Sequence, residues 1–178
     1  MAKVKVDYTK YFAQLHESLS PSGALLVSLD QNNRPNAMTI GWATLGVVWS
    51  QPICTVLVRP SRYTYGCINT TGDFTVCVPY PEMRDVADFC GTRSGRDYDK
   101  FAECNLTALA SETVQSPGIE ECGVIWECRT IYTSDVKAET LAAEIDNSAY
   151  AGGDYHRVYY GLVQRCIADE DLEERFSV

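Results

Sequence analysis

The sequence predicts a mainly β protein, an antiparallel barrel with helices inserted between its strands. Six or seven segments have the residue pattern of strands, and the helical segments do not alternate strictly with them. No G-x-G-x-x-G sequence is present, so a dinucleotide-binding parallel sheet is disfavoured. The chain has 178 residues, of which 46% are apolar, and this suits a single domain over residues 1–178.

The first segments of the chain are predicted to form a helix followed by strands. Aromatic and leucine residues recur at helical spacing over residues 8–19, and a strand is expected over 23–30. Residues 36–49 are compatible with β structure throughout and contain Gly41 and Gly46. Glycine within a strand often marks a bend or a close approach of ligand, so this run is a candidate wall for a binding site.

The middle of the chain alternates between apolar runs and short helical patterns. Residues 52–58 are apolar on both faces, which is typical of a central strand. The segments that follow are predicted to be a helix over 61–70 capped by Ser61, a strand over 74–78, a helix over 83–89 ended by Gly91, and one or two helical turns over 97–104.

The last third is predicted to contain two strands and an acidic segment. Alternate apolar side chains share one face over residues 124–132, and residues 156–163 form an aromatic-rich last strand. Five acids lie between Asp169 and Glu174. Residues 169–178 are therefore predicted to be a solvated acidic tail.

The charge distribution limits the classes of ligand that the protein can bind. The net charge of −9 argues against nucleic-acid binding, because a protein that tracks phosphates needs a basic face. Residues 59–100 hold six basic and six acidic residues, whereas the rest of the chain holds nine basic and eighteen acidic ones. A neutral middle within an acidic chain could host an anionic ligand, although chance would produce the same distribution.

The sequence shows no targeting or membrane-spanning pattern. The chain begins MAKVKVDY, which has no apolar signal region, and no apolar stretch approaches the length of a membrane span. We therefore expect no membrane partner and a cytoplasmic location.

The cysteine pattern predicts thiols rather than a metal site. The eight cysteines form no C-x-x-C pair, and the only histidines are His16 and His156. Several cysteines lie in apolar strand patterns, where free cysteine is commonly a small core residue. We expect reduced, mostly structural thiols and no metal.

A candidate anion-binding turn lies at Arg59–Thr64, which reads RPSRYT. A strand ends there, proline turns the chain and a helix begins, so backbone N–H groups and the positive end of the helix dipole are exposed. Arg59 and Arg62 add positive charge, and Ser61 and Thr64 add hydroxyls, a set that suits a phosphate monoester. An ordinary helix cap with two surface arginines would have the same residues.

Two further segments are candidates for ligand contacts. The sequence GTRSGRDYDK over residues 91–100 offers Ser94, Arg96 and Lys100, although its aspartates could simply pair with these cations. Residues 36–42 read NAMTIGW and could line a flat heteroaromatic ring, although Met38 and Trp42 are also ordinary core residues.

Five sequences occur in an order that resembles one protein family: NAMTIGWATLG, VRPSRYTY, FTVCVP, CGTRSGRDYDKF and DYHRVYYG. They resemble the flavin reductase-like, flavoredoxin-type branch of the FMN-binding split-barrel proteins, and the likeness runs from about Gly23 to Ile167. The resemblance implies a Greek-key split barrel, a homodimer and non-covalently bound flavin mononucleotide (FMN). Tyr155, Tyr159 and Tyr160 crowd the last strand, with Tyr150 just before it. Tyrosine is enriched at interfaces, which fits a dimer, although these side chains could instead only pack the outer helices.

The resemblance also implies the roles of individual residues. Near the isoalloxazine ring it places Asn36, Met38, Thr39 and Trp42. Around the ribityl phosphate it places Arg59, Ser61, Arg62 and Thr64. The resemblance places Ser94, Arg96 and Lys100 where they would close over the cofactor. His156 would approach the ring from the last strand, or would be a structural histidine. Leu162 stands where similar proteins tend to have an acid.

The implied activity is transfer of hydride or electrons from NAD(P)H through FMN to free flavin, a ferric complex or a partner protein. The flavin would supply the redox chemistry, and the sequence contains no arrangement that suggests a catalytic side chain. Two alternatives stay open. The protein could be an FMN electron carrier that does not itself react with NAD(P)H, or it could bind another flat cofactor such as haem.

Overall fold

The computed structural model describes residues 2–20 and 22–176 of the chain. The strands are β1 (Lys3–Lys5), β2 (Ala24–Leu29), β3 (Pro35–Ile40), β4 (Ala43–Val48), β5 (Gln51–Val58), β6 (Asp73–Val78), β7 (Ala108–Leu109), β8 (Gly118–Ile119), β9 (Val124–Asp135) and β10 (Arg157–Asp169). The helices are α1 (Phe12–Ser18), α2 (Tyr63–Thr71), α3 (Arg84–Thr92), α4 (Lys100–Glu103), α5 (Ala143–Ala149) and α6 (Leu172–Arg175), with short 3₁₀ turns at Pro81–Met83 and Ala138–Thr140.

The main sheet is antiparallel and curls into a barrel. Its strand order is β3-β2-β6-β9-β10-β5-β4, and β1 pairs with the end of β10. The two edge strands, β3 and β4, are consecutive in the chain and are joined only by Gly41 and Trp42, so the sheet must bend round until its edges approach. No ladder joins β3 to β4 within the described residues, so the barrel is split at this place.

The connection between β5 and β6 gives the Greek-key character. These strands are consecutive along the chain, apart from α2, yet β9 and β10 lie between them in the sheet. The prediction of a mainly β, antiparallel split barrel with inserted helices is therefore confirmed.

The barrel strands bury side chains on both faces. Leu26 points into the barrel beside Trp126, while Leu25 and Val27 belong to a second core under the helices. Trp126 is fully buried, and its indole N–H donates to the Tyr8 carbonyl at 2.8 Å. The outer core positions α3 and α4 against β3, and it is this packing that brings the loop between the two helices to the barrel split.

Several element boundaries differ from the sequence expectation. The helix expected over 61–70 begins at Tyr63, with Arg62 at its N-cap, because the Ser61 hydroxyl bonds Asp154 rather than the helix. The helix expected to end at Gly91 continues to Thr92. The β run expected over 36–49 is interrupted at Gly41 and Trp42, where the barrel splits.

The expected solvated acidic tail holds for only part of the described segment: Glu170, Glu173 and Glu174 are exposed, whereas Asp169 and Leu172 are buried. Asp169 is the last residue of β10 and is 4% exposed; it pairs with Lys3 at 2.8 Å and accepts a hydrogen bond from the Tyr80 hydroxyl at 2.8 Å. Leu172 of α6 is fully buried. The short strand β1 pairs with the end of β10, so this end of β10 is part of the sheet rather than of a free tail. The acidic composition gave no sign of this pairing. Residues 177–178 lie outside the described residues.

No helix in the described part of the chain is both long and apolar enough to cross a membrane. All eight cysteines are free thiols, and seven of them are buried.

Candidate functional site

Two adjoining cavities form a groove at the split of the barrel. They share Met38, Arg62 and Gly91 as lining residues, so the groove runs past these three residues from one cavity into the other. The cavities are open to solvent and hold about 200 Å³ and about 160 Å³.

The first, which we call the aromatic cavity, lies between β3, the end of β5 and the start of β10. It is lined by Met38, Thr39, Ile40, Gly41, Trp42, Leu57, Arg59, Arg62, Gly91 and His156. The Trp42 and His156 ring centroids are 4.8 Å apart, and 45% of Trp42 is exposed. An indole half open to solvent beside an imidazole offers flat surfaces on which a ring could stack.

His156 is held as an uncharged imidazole. Its Nδ1 lies 2.9 Å from the Tyr150 hydroxyl, and the residue is 9% exposed. Burial, together with the positive charges of Arg59 and Arg62, lowers the pKa of His156 to about 4. At neutral pH this side chain therefore contributes hydrogen bonds and ring surface rather than charge.

The second, which we call the cationic cavity, lies between the start of α2 and the α3–α4 loop. It is lined by Met38, Ser61, Arg62, Tyr63, Thr64, Cys90, Gly91, Thr92, Arg93, Ser94, Gly95, Arg96 and Lys100. Four of these side chains are cationic, and among the described residues no carboxylate lines the cavity. In a chain with a net charge of −9, this concentration of positive charge indicates an anion site.

Arg62 is the cation most available to a ligand. Its guanidinium makes no hydrogen bond or ion pair with any described residue, and the side chain lines both cavities. Its backbone occupies the N-cap of α2, which no side chain caps, so the amide groups of the first turn also face the cationic cavity. Charge and free donors are thus available together at this point.

Lys100 is buried under the cavity rather than closing over it. It is 4% exposed, and its Nζ donates to the carbonyls of Ala37 and Cys90, both at 2.8 Å. Burial lowers the pKa of Lys100, and the charge of Arg62 lowers it further. The two carbonyl bonds join β3 to α3, so Lys100 holds the wall of the site and has a third donor left for a ligand.

Arg59 is committed to the protein itself. Its guanidinium donates to the carbonyls of Ala149 at 2.8 Å, Gly153 at 3.1 Å and Asp154 at 3.0 Å, and it lies over the Tyr150 ring. Arg59 still lines the aromatic cavity, but its hydrogen bonds hold the segment between α5 and β10 in position. These bonds give Arg59 a structural role, and its predicted phosphate contact stays a prediction.

Asn36 lines a neighbouring cavity, which shares Tyr63, Gly95 and Arg96 with the cationic cavity. Its Nδ2 donates to the Thr64 hydroxyl at 2.9 Å, whereas its Oδ1 is buried and has no partner. A Cβ added at Gly95 would collide with this Oδ1 and with the Tyr63 ring, so only glycine lets the loop pass so closely. The oxygen is thus enclosed by the Gly95 loop and has no partner among the described residues.

The structure brings the predicted site residues together. Eleven of the twelve line one or both cavities, and Asn36 lines a neighbouring cavity and bonds Thr64. Their roles toward a ligand stay predictions. Sequence reasoning missed Arg93, Tyr150 and Asp154. Arg93 lies in the same GTRSGR segment as Ser94 and could have been included, whereas the other two carry no local signal.

The described residues contain no group of three or more side chains that could hold a metal ion.

A curled antiparallel sheet that stays open between β3 and β4 places the chain among the split-barrel proteins. Within that class, the chain matches the flavin reductase like domain over residues 18–176. The match covers most of the chain, and the protein belongs to this family.

Individual relatives agree with the family assignment. The chain is 33% identical over 136 residues to an uncharacterised protein of Archaeoglobus fulgidus, covering 76% of this chain and 72% of the relative. It is similar in structure to the flavoredoxin of Desulfovibrio vulgaris, with 26% identity, a TM-score of 0.68, and coverage of 85% of this chain and 72% of that one.

A third relative supports the fold. The FMN-binding domain of a flavin reductases-like enzyme from Shewanella baltica superposes with a TM-score of 0.65 at 18% identity. The alignment covers 94% of this chain and 78% of that one.

Proposed function

We propose that this protein binds FMN in the groove and acts as a flavin reductase-like oxidoreductase. The observation that carries the proposal is the pairing of the two cavities. An aromatic cavity adjoins a cavity with four cations and no carboxylate among the described residues. FMN has the matching shape, a flat ring joined by a short polyol to a phosphate. Family membership and the names of the flavoredoxin and FMN-binding relatives support the same ligand.

The chain's own residues divide between the two ends of such a ligand. Arg62, Arg93 and Arg96 would meet the phosphate with charge-assisted hydrogen bonds, helped by the hydroxyls of Thr64 and Ser94. Met38, Thr39, Trp42 and His156 would bound the ring. The predicted contact of Asn36 with the ring stays a prediction, because Asn36 lines a neighbouring cavity rather than the groove.

When bound, FMN supplies the redox chemistry, accepting a hydride and passing electrons on. The protein's contribution is binding, orientation and electrostatics. Neutral His156 offers Nε2 beside the ring without adding charge, and Arg59 and Arg62 provide positive potential at the same cavity.

We propose NAD(P)H as the electron donor and free flavin, a ferric complex or a partner protein as the acceptor. The second candidate is an FMN electron carrier without its own NAD(P)H reaction, which the 26% identity to a flavoredoxin favours. Because the aromatic cavity could hold another flat ring, haem is the alternative cofactor.

One experiment separates these possibilities. Freshly purified protein is examined by absorbance, and NADH or NADPH is then added without oxygen. Flavin bands that bleach on addition support the reductase. Flavin bands that persist support the carrier, and a Soret band supports haem. Colourless protein that also fails to bind added FMN would refute the central proposal.

We also propose a homodimer with the flavin sites near its interface. Tyr150 and Tyr159 are buried within this chain and are not available for such a contact. An outer aromatic patch is available instead: Trp49, Tyr132 and Tyr160 pack with ring centroids 5.2 to 5.8 Å apart. Trp49 is 58% and Tyr132 49% exposed, which is unusual for a surface without a partner.

Light scattering with and without FMN tests this assembly. A stable monomer with full FMN affinity would remove the dimer proposal and leave the ligand proposal standing. A cytoplasmic location stays a prediction from the sequence.

A further inference from the structure

The carboxylate of Asp154 is bonded to Ser61 at the rim of the cationic cavity. Its Oδ2 accepts from the Ser61 hydroxyl at 2.5 Å, and its Oδ1 accepts from the Ser61 backbone N–H at 3.3 Å. Ser61 lines the cavity, whereas Asp154 does not. The Asp154 carboxylate therefore places a negative charge next to Ser61, which the sequence predicts to be a phosphate ligand.

The donors that Asp154 occupies are the ones a phosphate would need. A phosphate oxygen accepts from a hydroxyl and a backbone N–H in the same way as a carboxylate oxygen. Because the Ser61 hydroxyl has a single proton, it cannot donate to both anions at once. An incoming phosphate must displace the carboxylate or bind beside it.

The segment that carries Asp154 is held firmly in place. Arg59 donates to the carbonyls of Gly153 and of Asp154 itself, and Asp154 has φ 57°. Aspartate and asparagine are the residues, after glycine, that adopt this left-handed conformation most readily. The backbone of Asp154 thus stays at the rim of the cavity whether or not its carboxylate is bonded to Ser61.

We propose that Asp154 is a specificity-determining residue that competes with the ligand's phosphate for Ser61 and so sets the affinity for phosphate-bearing ligands. The proposal rests on the proposed function in one respect, that a phosphate binds in the cationic cavity. Displacing the carboxylate moves a charge toward solvent and leaves the bonds of Arg59 in place. Ligands without a phosphate do not compete with Asp154.

The variant Asp154→Asn tests the proposal. Asparagine tolerates the left-handed backbone and can still accept a hydrogen bond from Ser61, but it lacks the charge. The matched control is Glu144→Gln, which removes an exposed carboxylate from α5 in the same part of the chain. Binding of FMN, riboflavin and inorganic phosphate is measured for all three proteins at low ionic strength.

We expect Asp154→Asn to bind FMN and inorganic phosphate roughly three- to thirtyfold more tightly than the parent, from the repulsion of charges about 5 Å apart near a surface. Riboflavin affinity should stay the same, and Glu144→Gln should change none of the three. High salt should reduce the gain, because both charges reach solvent.

The outcomes separate this proposal from the proposed function. Unchanged or weaker binding of inorganic phosphate by Asp154→Asn overturns the role of Asp154, whatever the flavins do. Tighter phosphate binding without any flavin binding supports Asp154 and refutes FMN as the ligand. In a Ser61→Ala background, the effect of Asp154→Asn should shrink, and an undiminished effect would also overturn the competition at Ser61.

Discussion

The Tyr150 hydroxyl and the Nδ1 of His156 lie 2.9 Å apart, and this hydrogen bond joins the end of α5 to the aromatic cavity. Both residues are buried, and the Tyr150 ring lies beneath the Arg59 guanidinium. One imidazole nitrogen is therefore committed to the protein. The other, Nε2, has no protein partner among the described residues and is the nitrogen left for a bound ligand.

We expect the free energy of unfolding to fall as the pH is lowered from about 6.5 to about 4, in part because of His156. In this range the unfolded chain takes up a proton at the histidine, whereas the folded chain, with a pKa of about 4, does not. The difference between the two pKa values of His156 lowers the free energy of unfolding by up to about 3 kcal/mol once the pH is below both of them. Denaturant unfolding at several pH values measures it.

The two histidines provide a matched comparison. His156→Gln should lose this part of the pH dependence, while His16→Gln, which changes an exposed histidine in α1, should keep it. An identical pH dependence in the parent protein and in His156→Gln would contradict the assignment.

Arg62→Ala should weaken FMN binding roughly ten- to hundredfold, since it removes a charge-assisted contact from a guanidinium with no other partner among the described residues. Riboflavin, which lacks the phosphate, should lose little affinity. Fluorescence titration of both ligands measures the difference. The control Arg84→Ala removes an exposed arginine that does not line either cavity and should leave both affinities unchanged. Equal losses for FMN and riboflavin would place Arg62 away from the phosphate.

Gly161→Ala should destabilise the fold by about 1–3 kcal/mol, the usual cost of overpacking a core. A Cβ at this position of β10 would meet the Phe74 ring at 2.5 Å and the Cys128 Cβ at 2.8 Å. Gly46→Ala is the control, because a Cβ there in β4 meets nothing within 4 Å. Thermal or denaturant unfolding compares the two variants, and equal stability would show that the barrel interior can accommodate a methyl group at Gly161.

Several barrel strands were predictable because they are short, mostly apolar runs bounded by turn residues, buried on both faces of the sheet. The expected strand over 23–30 and that over 74–78 correspond to β2 and β6. The three-residue strand β1 was missed because its residues, Lys3–Lys5, are stabilised by pairing with β10 across the whole chain rather than by a local pattern. The same pairing buries Asp169, which the acidic composition had placed in solvent.

The sequence by itself determined the fold class and the residues of the groove, because these depend on apolar alternation and on cations and hydroxyls clustered within short segments such as Arg59–Thr64. Only the tertiary structure decided which of those donors are free. The Arg59 guanidinium and the Ser61 hydroxyl are occupied by Ala149–Asp154, a segment 90 residues or more further along the chain, whereas Arg62 has no such partner among the described residues. Local sequence specifies what a side chain can donate, but its competing acceptors come from segments that only folding brings near.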